Sequence, residues 1–529
     1  MHKIRPFCGV RGGLPISCLC AVVFASIAAA QEGPRFYIRE YRVDGSQRLK
    51  KLEVEEAVYP FLGPGRTADD VEQARQALEK VYHNKGFQTV SVNVPQQDPR
   101  RGIIRLAVVE GKVGRLRVNG AKWFLPSRIK QELPELAEGN VPNLDQVGKE
   151  IVAVNRLGDR RVTPELLPGA VPGTVDINLN VEDKNPLHGS LELNNRFSAD
   201  TSELRLNGSL SYGNLFQLGH TLGLSFQIAP ENIADAKVFS GYYLARISDK
   251  LSLMLQGTKQ NSDVSTITGA AVGGNGETLG ARLMVDLPTS EKFYQTFNFG
   301  LDYKNYAEDI VIGPDTISSP IEYYPLSAAY SASWVADRHF TEFNTVVTFH
   351  LRGIGSGESD FANKRFGASG AFTTLRADAS HTHDIFGDYQ FFGKIQGQLS
   401  GEPLINNEQI AGGGLSTVRG YLEATSLGDS GVFATLEMRS PTLIGKGDTS
   451  PNPANEWRFH AFADGGTVSL NEALAGQESL FWFASIGLGS RARVWKHYNG
   501  SIDFAFPLVE QVNAEEGDMR ITFRSWAEF

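Results

Sequence analysis

Beyond Asn185 the sequence settles into a two-residue period and keeps it to the end. Leu191, Leu193 and Phe197 alternate with Ser190, Glu192, Asn194 and Arg196; Leu204, Leu206, Leu210 and Tyr212 alternate with Glu203, Arg205, Asn207, Ser209 and Ser211. Leu251, Leu253 and Leu255 behave likewise, as do Ile502, Phe504 and Phe506. Successive side chains of a strand point to opposite faces. Repeated segments of about ten residues, apolar on one face and polar on the other, predict an all-β transmembrane barrel whose apolar face meets lipid. Sixteen segments fit: 187–197, 203–212, 219–228, 237–246, 250–260, 277–286, 294–304, 325–335, 344–353, 366–378, 388–399, 430–439, 457–464, 481–490, 497–506 and 519–529. An even count is what a single-chain bacterial barrel requires. The 41% hydrophobic content is ordinary because only alternate residues need be apolar. Past Gln31 no run of about 18 apolar residues exists to form a spanning helix.

The connections follow a parity. If the residues before 185 lie on the inner side of the membrane, connections after odd-numbered segments face outward and can be long. The connections 261–276, 305–324, 400–429 and 465–480 are long and follow odd segments, whereas 247–249 and 491–496 follow even ones and are short. The long connection 440–456 is the exception. Glu192, Glu203 and Asp503 are expected in the lumen, and Phe391, Phe392, Trp482 and Tyr498 on the lipid face and its interfacial girdle. His381-Thr382-His383-Asp384 looks like a metal cluster but is expected in a solvated turn after an even strand.

Before the barrel the pattern is α+β. Phe36–Val43 reads as a strand and Lys51–Tyr59 as a short helix stopped by Pro60. Thr67 can cap a second helix to Lys85, with Ala68, Val71, Ala74, Leu78 and Val81 on one face and Gly86 as its stop. Thr89–Val94 and Ile103–Val109 follow as strands. The order then repeats: strand Val113–Val118, helix Pro126–Leu133, helix Leu144–Leu157 capped by Asn143, and strands Val162–Leu166 and Val175–Val181. Two copies of one unit lie in tandem, 34–110 and 111–184, ahead of the barrel at 187–529.

Residues 1–30 read as a signal peptide: Lys3, Arg5 and Arg11, an apolar run from Leu14 to Ile27, then Ala28-Ala29-Ala30. All three cysteines (Cys8, Cys18, Cys20) fall inside it, so the remainder has no disulfide, Cys-ligated metal or thiol chemistry. Removing it takes the net charge from −9 to about −12. That acidity argues against nucleic acid as a partner.

The long segment 400–429 carries Gly412-Gly413-Gly414-Leu415-Ser416-Thr417-Val418-Arg419-Gly420-Tyr421, and Arg419 is its only Lys or Arg between Lys394 and Arg439. Downstream, Phe462-Ala463-Asp464-Gly465-Gly466 ends a strand. Here the chain resembles the pore-forming transporters of two-partner secretion (TpsB type), the haemolysin secretion/activation proteins of ShlB/FhaC/HecB kind within the BamA-like superfamily. That family has two polypeptide-transport-associated (POTRA) domains and a sixteen-stranded barrel. Its sixth external loop folds into the lumen with a Val-Arg-Gly-Tyr motif, matched by Val418, Arg419, Gly420 and Tyr421; its wall motif Phe-x-Asp-x-Gly is matched by Phe462, Asp464 and Gly466. Lesser matches are Leu167-Pro168-Gly169 with Pro172-Gly173, and Gly428-Asp429 with Glu437-x-Arg439.

The resemblance implies an outer-membrane protein of a Gram-negative cell, its POTRA domains in the periplasm, that exports an unfolded partner exoprotein. An Arg in a barrel lumen is costly unless paired, and a bidentate Arg419–Asp464 contact would pin the loop, with Gly420, Gly465 and Gly466 allowing close approach. The terminal strand, with Met519, Ile521, Phe523 and Phe529 on one face, resembles the signal read by the barrel assembly machinery, and lipid is the other expected partner. Only Gln31 to Arg35 precede the first strand, so the plug helix of many members has no room and gating would fall to loop 400–429. No cofactor, metal or catalytic residue is expected: there is no Gly-x-Ser-x-Gly elbow and no Gly-x-x-x-x-Gly-Lys phosphate loop. An assembly factor of the BamA-like superfamily is the alternative, and a passive porin or receptor a more distant one.

Overall fold

A computed structural model describes residues 34–267, 270–288, 290, 292–312, 315–445 and 453–529. The signal-peptide reading and its cysteines lie outside the described residues. Two compact units result, one of residues 34–115 with Glu138–Val147 and Pro168–Asp176, the other of Leu116–Ala137, Gly148–Leu167 and Ile177–Phe529.

In the first unit, a three-stranded sheet places Ile103–Glu110 between Glu40–Asp44, which runs parallel to it, and Val90–Asn93, which runs antiparallel. The expected strand Phe36–Val43 breaks at Arg39. Phe36–Ile38 pairs instead with Gly63–Arg66, because the Arg39 and Glu40 N–H groups both turn to the Gly102 carbonyl, at 2.8 and 3.2 Å. Helix Ala68–Asn84 starts where Thr67 and Asp70 cap each other: the Thr67 N–H donates to Asp70 Oδ2 (2.8 Å) and the Asp70 N–H to Thr67 Oγ1 (3.4 Å). It buries Val71, Ala74, Leu78 and Tyr82. Val71, Leu78 and Tyr82 pack in one core with Ile38, Val90, Val92, Ile104 and Leu106.

The element order recurs as strand Lys112–Asn119, helices Pro126–Gln131 and Leu144–Val154, and strands Arg160–Pro168 and Thr174–Asp183, with Thr174–Asp183 central in the sheet. The repeat extends to single atoms. Gly45 (φ +88°) and Gly120 (φ +86°) hold equivalent turns, where a Cβ would sit 2.3 and 2.4 Å from the carbonyl oxygens of Val108 and Val181. A carboxylate closes the loop beyond each turn. Glu110 accepts from the N–H groups of Gln47 and Arg48 at 2.7 and 2.8 Å; Asp183 accepts from those of Lys122, Trp123 and Phe124 at 2.8, 2.7 and 3.1 Å.

The barrel closes through sixteen antiparallel strands. All sixteen expected segments overlap them, with one strand broken at Tyr324-Pro325 into Asp315–Tyr323 and Leu326–Ala336, both paired to Phe293–Ile312. The first strand, Leu187–Asn194, pairs with Arg205–Leu215 on one side and Arg520–Glu528 on the other. Phe529 completes that closure by exchanging backbone hydrogen bonds with Gly189, at 3.0 and 3.2 Å.

Several sequence expectations need correction. The connections 261–276 and 305–324 are mostly continuing hairpin, since strands Leu251–Ile267, Ala270–Asp286 and Phe293–Ile312 run 17, 17 and 20 residues. At about 3.3 Å per residue they outrun an apolar band about 25 Å tall, so their ends extend past it. His381–Asp384 ends strand Phe372–Asp384 instead of forming a turn; the rings of His381 and His383 stack at 5.9 Å, with His339 6.0 Å from each. Phe392 faces the lumen, under the Arg439 guanidinium at 4.7 Å, since it shares its face with Lys394 and Gln396. Glu203 precedes its strand and sits in the connection. The connection 440–456 lies partly outside the described residues.

Burial pushes the Tyr41 and Tyr82 phenols up to about 12, each with help from a nearby carboxylate, Asp70 or Glu110. An unfolded chain releases those protons near 10. Stability from the two neutral phenols is therefore intact below about pH 10 and lost as pH climbs to about 12. The Tyr82 hydroxyl lies 2.6 Å from Ser46 Oγ and 3.1 Å from Glu110 Oε1, whereas the buried Tyr41 hydroxyl has no hydrogen-bond partner among the described residues. Urea unfolding should give a midpoint that is flat from pH 8 to about 10 and falls above it; Tyr41→Phe should be neutral or stabilising, and Tyr82→Phe destabilising by about 1 kcal/mol.

Candidate functional site: a loop pinned inside the barrel

Segment 401–429 leaves strand Gln390–Ser400 and returns as strand Ser430–Arg439. Within it Ile410–Gly412 pairs with Ser426–Gly428 as a small hairpin, and the stretch beyond carries Arg419 into the barrel. The opposing wall is strand Glu456–Ser469, where Asp464 lies in register between Thr435 and Ser485. Alternation sets Phe462, Asp464 and Gly466 on its lumen side.

Arg419 is buried and every edge of its guanidinium is used. Nε and Nη2 donate to Asp464 Oδ2 and Oδ1 at 2.7 and 2.9 Å, and the Arg419 backbone N–H donates to the same Oδ2 at 3.1 Å. Nη1 donates to Glu437 Oε2 at 3.0 Å and lies 3.9 Å from Asp503. The flat guanidinium sits 3.4 Å over the Phe462 ring. A bidentate carboxylate contact plus stacking on an aromatic face uses the geometry that separates Arg from Lys. Taking the charge out of water is costly, and the flanking carboxylates offset that cost.

The carboxylates are themselves held. Glu437 also accepts from Arg439 Nε (2.7 Å) and from Arg491 (3.0 and 3.1 Å). Asp503 meets His460 Nε2 at 2.6 Å. Phe462 lies flat because the wall beneath is Gly487, where a Cβ would stand 2.3 Å from the ring; one at Gly489 would stand 2.4 Å from both His460 and Asp503.

The neighbouring motif residues lock the backbone. Gly420 adopts φ +94° with Pro507 3.3 Å from where a Cβ would be. Val418 and Tyr421 join Phe433, Val468 and Phe483 in an apolar cluster. The Tyr421 hydroxyl lies 2.7 Å from the Val509 carbonyl oxygen and 3.0 Å from that of Ala484. Gly466 makes room for Phe433, 2.3 Å from its would-be Cβ. Gly465, expected to aid close approach, faces the other way and meets nothing nearer than 3.6 Å.

Two further anchors hold the base of the loop: Asp429, flagged in the sequence as a lesser family match, and Glu408, which sequence reasoning missed together with the partners of both. Glu408 accepts from Lys304 Nζ and from Tyr323 OH (2.6 Å), while its carbonyl oxygen takes Gln398 Nε2 (3.0 Å) and Arg376 Nη2 (3.1 Å). Asp429 accepts from Arg365, from the Leu404 N–H (2.9 Å), from Gln409 Nε2 (3.0 Å) and from the Asn471 N–H (2.7 Å). Arg365 follows the short helix Glu358–Lys364, docked by Phe361 among Tyr323, His350 and Phe372. Lys304 stands at a lumen-facing position, the one signal that could have found it. Glu423 ties the far limb to Arg196 at 2.8 Å.

The chain matches the family model "Haemolysin secretion/activation protein ShlB/FhaC/HecB" over residues 173–492 and "POTRA domain, ShlB-type" over 36–111. It is 24% identical to the outer membrane transporter CdiB of Dickeya dadantii (strain 3937), covering 77% of this chain and 73% of that one. It is 23% identical to CdiB of Escherichia coli O6:K15:H31, covering 91% and 80%. Among solved structures, CdiB from Escherichia coli superimposes with a TM-score of 0.62 at 21% identity, over 96% of this chain and 93% of that one. BamA from Haemophilus ducreyi lacking POTRA domains 1–3 does so with 0.56 at 15%, over 93% and 100%.

Arg419 is also the sole trypsin site between Lys394 and Arg439, which makes its burial directly measurable. Trypsin added to the folded wild-type protein should spare Arg419. Asp464→Asn or Glu437→Gln should expose it, raising the cleavage rate about 100-fold or more, since removing one partner of a buried ion pair costs about 3–5 kcal/mol; unchanged cleavage would contradict the packing. With a POTRA-type domain ahead of a closed sixteen-stranded barrel and the ShlB/FhaC/HecB model spanning most of the chain, the protein belongs to the haemolysin secretion/activation family of outer-membrane, two-partner-secretion transporters.

Proposed function

We propose that the protein exports one unfolded partner exoprotein, of haemagglutinin or haemolysin type, through its barrel, with loop 401–429 as the gate. The observation that supports this reading is the loop itself: it lies inside the lumen, anchored by Arg419 to Asp464 and Glu437, with its base held by Glu408 and Asp429. A passive porin gains nothing from a buried polar lock across its own pore.

Two POTRA units, 34–110 and 111–184, receive the client in this reading. The outer strand Val90–Asn93 of the first sheet offers backbone hydrogen bonds to an extended chain of any sequence, and alternate side chains tune the fit. The client then displaces the loop tip, and its folding outside draws it through. Phe529 serves as the signal to the barrel assembly machinery, and the outward apolar faces contact lipid. The chemistry is binding and passage, with no catalytic step.

Arg419→Ala and Asp464→Ala should each cut secretion of the partner into the medium by about tenfold or more, judged against the about 3–5 kcal/mol cost of breaking a buried pair. Both barrels should remain assembled and heat-modifiable on gels. Wild-type secretion from both variants would overturn the proposal.

A further inference from the structure

The lumen holds a cation that the loop locks leave unused. Arg419, Arg491, Arg196 and Arg524 are each matched to a carboxylate: Asp464 and Glu437, Glu437, Glu423, and Glu192 respectively. Lys394, from the middle of strand Gln390–Ser400, makes no hydrogen bond or ion pair among the described residues. It lines two lumen cavities, of about 380 and 440 Å³, and Ser416 of the loop lines both. In the smaller cavity the Asp378 carboxylate accepts from Asn344 Nδ2 at 3.0 Å. Arg376 is engaged by Gln398 and the Glu408 carbonyl. Thr417, from the loop, lines the same cavity, and its buried hydroxyl has no hydrogen-bond partner among the described residues.

An ammonium on the wall, with Asp378 as its neighbouring counter-charge, and a hydroxyl on the loop thus both keep their hydrogen bonds unmade at one cavity. Such a pair suits a carboxylate, which accepts several hydrogen bonds and takes a charge-assisted one from Lys. We propose that Lys394 and Thr417 form a carboxylate-binding subsite that holds Asp or Glu side chains of the client in transit between loop and wall. This rests on the reading of the barrel as a peptide route and adds the chemical class of segment that binds there. The cavity volume accommodates side chains of an extended peptide, and a site shared between wall and loop couples client arrival to the loop.

The test is binding of a fluorescent oligoglutamate peptide to the full-length protein in detergent, read by anisotropy at low salt. Wild type should bind it and not oligolysine. Lys394→Gln should weaken binding about tenfold, the scale of one hydrogen bond to a charged group. Thr417→Val should weaken it less, Lys394→Arg should retain it, and the outward-facing control Lys259→Gln should leave it unchanged. Equal binding by wild type and Lys394→Gln, or equal binding of oligolysine, would overturn the subsite. Displacement by succinate at matched carboxylate concentration would assign the site to a small solute and overturn the client role. Binding does not require export, so loss of peptide binding with normal secretion by Lys394→Gln would reject the transit role while leaving the secretion reading standing.

Discussion

One guanidinium organises the interior of this barrel. Arg419 can be buried only because Asp464 meets it edge-on and Glu437 takes its remaining edge, with Phe462 beneath it. The rest of the region serves that arrangement. Arg439 and Arg491 hold Glu437, His460 holds Asp503, and Gly487 leaves space for the ring. Buried polar networks tolerate no half-measures, because each unpaired member costs its full desolvation. A loop so held is in place or released, with little between. That is the physical property a gate needs.

The loop is held at its base as well as its tip, and the two sets of contacts differ in kind. The base combines a hairpin, Ile410–Gly412 with Ser426–Gly428, with Glu408 and Asp429 bound to residues of the wall. Between base and Arg419 stand Gly413 and Gly414, both in left-handed conformations, and Ala424 closes the far side at φ +55°. Breaking the Arg419 pair would therefore free the tip while the base keeps its place. The proposed gating then needs only a short segment to move.

Legibility in the sequence tracked the physics of each feature. Strands were visible because one face meets lipid, so Leu206 and Leu210 could not be polar without penalty. That signal fails where strands leave the membrane, which is why the ends of Leu251–Ile267 and Phe293–Ile312 read as loops. It also misplaced Phe392, a lumen aromatic used by Arg439. Arg419 and Asp464 stood out as charges among glycines, and the structure brings them together. Glu408, Lys304, Arg365 and Asn471 did not, because their partners are distant in sequence and each alone looks like an ordinary solvated residue. The repeat of the α+β unit was legible in element order; the equivalence of Glu110 and Asp183 as loop-closing carboxylates needed coordinates.

The absence of cysteine after residue 30 permits the most direct test of the central claim, that the loop must leave the wall for a client to pass. Gln396 on the wall donates to the Ser416 carbonyl on the loop tip, so Gln396→Cys with Ser416→Cys places one thiol on each side of the loop–wall contact. Secretion of the partner is then measured after the two thiols are bridged by a bis-maleimide with a reducible spacer, and again after a reductant. The account predicts that export stops when the bridge forms, resumes on reduction, and is unaffected by either single substitution. Export that continues at the wild-type rate through fully cross-linked protein would contradict it.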